Sequence, residues 1–238
     1  MRKFVRNVKK LLVQYRRTLF ETVGSDRYSF SALDGLDRAL GKYLDFRDGT
    51  FIECGANDGI TYSNTYWLER FRGWRGVLIE ALPEKARSCA KNRPAARVFN
   101  TALVAADGIS TIKIVAANMM SYVPGSFSSQ DNEASHRFHA AVHEPVLTEI
   151  EVPARTLASI FEELKLGRVD VFSLDVEGYE VEVLRGMNVQ KNRPRHILVE
   201  TKKLDAVLAV LDQMYSLVAK LSHHDYLLAL KPEYAVGS

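Results

Sequence analysis

Cysteine is nearly absent from this sequence: Cys54 and Cys89 are the only two. Each sits in an apolar or helical segment and they form no C-x-x-C pair, so a disulfide framework is not expected and a reducing, cytoplasmic compartment fits. No apolar run approaches the ~18–20 residues that cross a bilayer, and the first twenty residues lack the unbroken apolar core of a secretory signal. Neither a transmembrane span nor export is therefore expected. Acidic residues are missing from the first twenty positions, where Arg2, Lys3, Arg6, Lys9, Lys10, Arg16 and Arg17 precede Glu21. The formal charge of +3 thus leaves −4 for everything after them. Beyond that segment no Arg/Lys stripe with interleaved aromatics occurs, which removes the footprint a nucleic-acid partner needs.

What is present is a chain of 238 residues, 47% hydrophobic and 26% charged, enough for one α/β domain with a full core. Residues 1–45 read as a basic helical extension and 46–238 as the folded domain. In MRKFVRNVKKLLVQYRRTLF, Phe4, Val8, Leu11, Leu12, Tyr15 and Leu19 recur near helical spacing. Two readings stay open: residues 1–20 rest on an anionic membrane, at its inner face, or they pack against the domain and show solvent a basic side.

From Thr50 onward, strand, turn and helix repeat, which predicts a mostly parallel sheet covered on both faces. Strands are expected at Thr50–Cys54, Gly76–Ala81, Ala96–Val104, Val169–Leu174 and His196–Glu200, with helices at Thr65–Arg72, Glu84–Lys91 and Leu204–Met214. Ser216–Leu221 and Tyr226–Leu230, separated by a short polar stretch, predict a closing antiparallel hairpin. Thr111–Val115 and Val146–Val152 read as an extended pair. The polar excursion between them, within residues 116–145, reads as a lid or acceptor insert.

The first strand runs into FIECGANDG, residues 51–59. Glycines there let the main chain turn sharply and approach a ligand with no Cβ in the way. Glu80 ends GVLIE 25 residues after Gly55, near the separation at which a carboxylate grips ribose hydroxyls in a doubly wound sheet. The turn is not G-x-G-x-x-G, and Asp58 adds a negative charge that would repel a pyrophosphate. A nicotinamide dinucleotide is disfavoured. A cofactor with a ribose and no phosphate fits, and S-adenosylmethionine, a sulfonium cation, has that description.

Taken in order, IECGANDG, YSNT, GWRGVLIEALPE, NTALV and SLDVEGYEVEVLRGM resemble the FkbM family of S-adenosylmethionine-dependent methyltransferases, over roughly residues 48–202. The resemblance implies a Rossmann-like, doubly wound, mostly parallel seven-stranded sheet of the class I methyltransferase type. It further implies that Glu53, Gly55, Ala56, Asn57 and Gly59 line the methionine end of the cofactor, with Ser63 near its carboxylate. Glu80 would hold the ribose, Ala102 would flank the adenine and Asp175 would sit beside the methyl-bearing end. The implied reaction is O-methylation of a sugar, glycan, glycolipid or related hydroxylated metabolite.

An acceptor alcohol needs a base, and several residues qualify. Asp175 and Glu177 share a face if the strand geometry continues past Leu174; alternatively Glu177 caps a helix opening at Gly178. His136, His139 and His143 lie on one side of a helix if HRFHAAVH is helical, and could supply a base, join Glu144 around a divalent metal, or form a solvated face. No metal site is expected, and His223 and His224 read as surface residues. Against the enzyme stands a non-catalytic module that keeps the fold and uses its basic helix to bind a membrane or partner. Three converging carboxylates, Glu53, Glu80 and Asp175, argue for the enzyme.

Overall fold

The computed structural model of the protein describes residues 2–127, 129–143 and 146–235, the side chains of residues 2–7, 9, 10 and 143 excepted. Its strands are β1 (Thr50–Cys54), β2 (Arg75–Glu80), β3 (Arg97–Asn100), β4 (Ala102–Leu103), β5 (Thr111–Ala116), β6 (Thr148–Arg155), β7 (Val171–Leu174), β8 (His196–Glu200), β9 (Tyr215–Lys220) and β10 (Asp225–Leu230). The helices are α1 (Arg2–Thr22), α2 (Leu36–Leu40), α3 (Tyr66–Arg72), α4 (Pro83–Asn92), α5 (Gln130–His143), α6 (Leu157–Leu164), α7 (Glu180–Arg185) and α8 (Leu204–Val210).

Seven strands form one sheet in the order β3-β2-β1-β7-β8-β10-β9. The first five are parallel, and β10 runs antiparallel to both β8 and β9. The chain leaves β1 to build one wing, returns beside it as β7, and builds the other, so the order reverses between β1 and β7.

Alternation along the strands makes two apolar faces. Ile52, Val77, Phe172, Ile197 and Leu228 lie in register across the sheet and bury against Leu157, Val183 and Val207 of α6, α7 and α8. Their neighbours Phe51, Leu78, Val171, Leu198 and Leu227 point the other way, onto Leu40, Leu68, Trp74 and Cys89. Each side chain fully removed from water contributes about 1.5–3 kcal/mol, so both faces must be covered. Cys54 and Cys89 are buried and free.

The continuous strand expected over 96–104 is in fact two. Asn100 turns its amide onto the carbonyls of Glu80 (2.9 Å) and Ala81 (2.8 Å), and the Thr101 hydroxyl donates to the Pro153 carbonyl at 3.0 Å. These bonds hand the chain from β3 in the large sheet to β4 in a second sheet of order β4-β6-β5. There β5 and β6 pair antiparallel from Thr111↔Pro153 to Ala116↔Thr148, as the extended pair predicted. The excursion between them holds α5.

Helix α1 is attached by its polar side. Glu21 accepts from the hydroxyls of Tyr66 and Ser29, both at 2.8 Å, Arg17 lies over the Tyr66 ring, and Arg16 lies 4.0 Å above Tyr28. Val8, Leu11, Leu12, Tyr15 and Leu19 are exposed. The C-terminal end of α1 thus packs against the rest of the chain, with Phe20 edge-on to Tyr28 at 4.7 Å, while the apolar residues from Val8 to Leu19 named above stay uncovered.

Candidate active site

Strand β1 ends where β2 and β7 end beside it, and the glycine turn is shaped by that crowding. Gly55 has φ +80°, and a Cβ placed on it would lie 1.9 Å from the backbone oxygen of Asp175. The N–H of Asp175 in turn donates to the Cys54 carbonyl at 3.2 Å. Only glycine satisfies both the left-handed backbone and this approach. Just beyond, the Asn57 N–H donates to Glu80 Oε2 and the Leu82 N–H to Glu80 Oε1, both at 2.8 Å. Burial pushes the Glu80 carboxyl up to about 7, and these two N–H groups pull against that shift.

A groove of about 740 Å³, counting the space at its mouth, opens over these strand ends. Of the residues predicted for a cofactor, Gly55, Asn57, Glu80, Ala102 and Asp175 line it. Glu53, Ala56, Gly59 and Ser63 do not. Alternation puts Glu53 on the Phe51 face of β1, beneath the loop that opens α3, where it is 3% exposed. It accepts from the Ser63 hydroxyl (2.8 Å), the Asn64 N–H (2.8 Å) and the Thr65 hydroxyl (2.5 Å). Arg93, 1% exposed, stands 3.9 Å from Glu53, donates to the Gly59 carbonyl at 2.9 Å and pairs with Glu69 at 2.9 Å. Glu53 and Ser63 therefore fasten the loop rather than face a ligand. Asp58 also turns inward, accepting from the N–H groups of Ile60 (3.0 Å) and Thr61 (2.7 Å), so it does not project its charge into the groove.

Sequence reasoning missed the groove's other wall. Leu82, Ile114, Met119 and Tyr122 line it, drawn from the start of α4, the second sheet and the excursion. Tyr122 is 2% exposed, yet its hydroxyl has no hydrogen-bond partner. Nothing local in the sequence marks it, because the excursion has no strand or helix periodicity at that point.

A second cavity, about 1150 Å³ including its mouth, adjoins the first and shares Asp175 and Glu177 with it. Its wall includes Phe127, His136, His139, Glu200 and Lys203, and His224 reaches it from an exposed position. The strand geometry stops at Leu174: Glu177 has φ +53°, so the two carboxylates converge through a turn and not through alternation. Glu177 does not cap a helix at Gly178 either, since Glu180 accepts the Gly178 N–H at 2.7 Å and α7 begins at Glu180.

The electrostatics here are those of crowded, buried acids. Burial, then the charges of Glu200 and Glu177, raise Asp175 well above the usual carboxylate range. Burial and Glu200 push Glu177 up to about 8, and burial with Asp225 pushes Glu200 to about 7. Asp175 hydrogen-bonds Glu200, the arrangement of a pair that shares a proton.

HRFHAAVH is helical, as part of α5. His136 Nε2 lies 2.9 Å from the Met120 carbonyl, which can only accept, so Nε2 carries the proton. Its Nδ1 then presents a lone pair toward Glu177 Oε2, 3.8 Å away. Burial lowers the His136 pKa. His139 lines the same cavity; the side chain of His143, and Glu144, lie outside the described residues. Among the described residues no three His, Cys, Asp or Glu side chains are arranged to hold a metal ion.

These features fit S-adenosylmethionine. The groove sits at the topological switch point, where nucleosides bind. It is lined by Glu80, Asp175 and Glu177 with no Arg or Lys, which suits a cation and provides nothing for phosphates. The buried Tyr122 hydroxyl is a polar atom waiting for a partner. A doubly wound sheet with one reversed strand and such a groove defines the class I S-adenosylmethionine-dependent methyltransferases.

The family model of the methyltransferase FkbM domain matches residues 53–228. The chain belongs to that family, and S-adenosylmethionine is its cofactor. No curated protein matches the chain in sequence. Among solved structures it is similar to the methyltransferase FkbM from Methylobacillus flagellatus KT, with 14% identity and a TM-score of 0.49 over 96% of this chain and 60% of that one. The chain thus spans less than two thirds of that protein's length. A TehB-like SAM-dependent methyltransferase from Corynebacterium glutamicum ATCC 13032 Kitasato is 10% identical, with a TM-score of 0.41 over 94% of this chain and 97% of its own. The precorrin-6y C5,15-methyltransferase from Geobacter metallireducens GS-15 is 11% identical, with a TM-score of 0.42 over 87% and 97%.

Proposed function

We propose that this methyltransferase is an O-methyltransferase acting on a hydroxyl of a sugar, glycan, glycolipid or related metabolite. One observation carries the reading: the cofactor groove and a larger polar cavity meet at two carboxylates, Asp175 and Glu177. In this reading Gly55, Asn57, Glu80, Ala102, Asp175 and Tyr122 hold the cofactor, and the second cavity holds the acceptor. S-adenosylmethionine, when bound, supplies an electrophilic methyl group on a positively charged sulfur.

The chain's own part is alignment and proton removal. Carboxylates and the imidazole of His136 suit hydroxyl donors, which supports a polyhydroxylated acceptor. Glu177 accepts the acceptor's proton as the new C–O bond forms, and a positioned base of this kind is worth about 10²–10⁴ in rate. A carboxyl near 8 is close to the working pH, where a general base is most effective. His136 orients it and, through Nδ1, can take the proton onward. His139 is a second candidate from the same wall. Helix α5 and Phe127 form one wall of the cavity.

The test has two stages. Calorimetric titration with S-adenosylmethionine, S-adenosylhomocysteine and NAD should show binding of the first two alone. A screen of sugars and lipid-linked glycans with labelled methyl donor should then label one class at oxygen. Cofactor binding with no transfer to any hydroxylated acceptor would favour the non-catalytic module; transfer to nitrogen or carbon would refute the O-methylation reading.

A further inference from the structure

Helix α1 has an apolar stripe that the domain does not cover. At 3.6 residues per turn, Val8, Leu11, Leu12, Tyr15 and Leu19 fall within an arc of about 100°. They are 38%, 64%, 62%, 69% and 50% exposed. The opposite side, through Arg17 and Glu21, holds the helix to Tyr66, Ser29 and Arg70. An amphipathic surface helix ordinarily packs the reverse way, apolar face inward.

We propose that α1 docks in the plane of an anionic phospholipid surface, with this stripe among the acyl chains. Charge complementarity selects that occupant. Seven basic residues and no acid precede position 18, and five of them, Arg2, Lys3, Arg6, Lys9 and Lys10, come before the two arginines that contact Tyr28 and Tyr66; each basic residue near an anionic leaflet is worth about 1 kcal/mol. A second copy of the chain laid along the stripe would instead bring two such segments together, where like charges repel. No described helix is long and apolar enough to cross a membrane, so the helix lies on the surface and does not span it. Its clamp at Glu21, whose side chain is largely buried and bonded to Tyr66 and Arg70, would keep the domain close to the lipid.

Co-sedimentation of the full chain with vesicles tests this without any methyl donor, so the outcome is independent of the proposed reaction. The protein should sediment with phosphatidylcholine–phosphatidylglycerol vesicles, far less with phosphatidylcholine alone, and less as salt rises. Leu12→Glu with Leu19→Glu should reduce the partition coefficient by at least about tenfold while the thermal midpoint stays put, because both side chains are exposed. Lys9→Gln and Lys10→Gln, which leave the stripe intact, should each cost about fivefold on anionic vesicles only. Binding that ignores lipid charge, or survives either pair of substitutions, overturns the proposal. So does a vesicle-free dimer that Leu12→Glu with Leu19→Glu dissolves into monomers.

Discussion

Glu177 stands where two cavities meet, in a left-handed conformation that a non-glycine residue adopts rarely, with burial and Glu200 holding its proton on. Its removal is the sharpest test of the chemistry. Glu177→Gln should lower kcat by about 10²–10⁴ while S-adenosylhomocysteine binds nearly as before. In the unsubstituted enzyme, kcat/KM should climb with pH, reach half its plateau near 8 as the carboxyl ionises, and level off above that; a profile flat from pH 6 to 9 would remove Glu177 from that role. Tyr122→Phe should weaken S-adenosylhomocysteine binding about three- to tenfold, the value of one hydrogen bond, with little change in thermal midpoint. Gly55, Glu80 and Asp175 could be read from the sequence because a glycine turn and strand-end acids occupy fixed places in a doubly wound sheet. Glu53 could not, since its neighbours in sequence line the groove while alternation sends its own side chain beneath it. Tyr122 comes from a stretch with no period to betray which way it points, whereas His136 and His139 were marked by their helical spacing in HRFHAAVH.

The strands and helices show the same division. His196–Glu200 and the closing hairpin were legible from apolar alternation and turn residues, and Thr50–Cys54 from its bounding glycines. The break at Thr101 was not, because no Gly or Pro interrupts ARVFNTALV, and the switch between sheets depends on side-chain bonds from Asn100 and Thr101 to distant carbonyls. Nor did pattern alone reveal that Arg93, at the end of α4, is the buried cation that ties Glu53, Glu69 and the Gly59–Thr65 loop together. Arg93→Ala leaves Glu53 buried with no counter-charge and takes the cation from Glu69. It should destabilise the fold by about 3–5 kcal/mol, a thermal midpoint lower by roughly 6–20 °C, measurable by scanning calorimetry. A smaller loss than that from an exposed substitution such as Arg75→Ala would show that the network is not structural.

Across the assembled domain, Glu80, Glu177 and Glu200 all have folded-state values raised to between about 7 and 8. The folded state therefore binds more protons than the unfolded chain above pH 4.5 or so. The stability this gives is complete at the acidic end of that window and is lost as pH rises through 7 and 8. Thermal midpoints should fall between pH 5 and 8.5, and a midpoint that rises over that range would contradict the crowding of these acids. A bound sulfonium relieves the repulsion, so S-adenosylmethionine should gain affinity with rising pH where the uncharged thioether of S-adenosylhomocysteine gains less. The excursion has a different character from this acidic centre. It hangs between Ala116 and Thr148, two residues locked side by side by the β5–β6 ladder. Both ends of the excursion thus leave from a single point of a closed frame. A different stretch can be spliced there with no strand displaced, and because Met119 and Tyr122 belong to it, such an exchange would reshape one wall of the cofactor groove together with the second cavity.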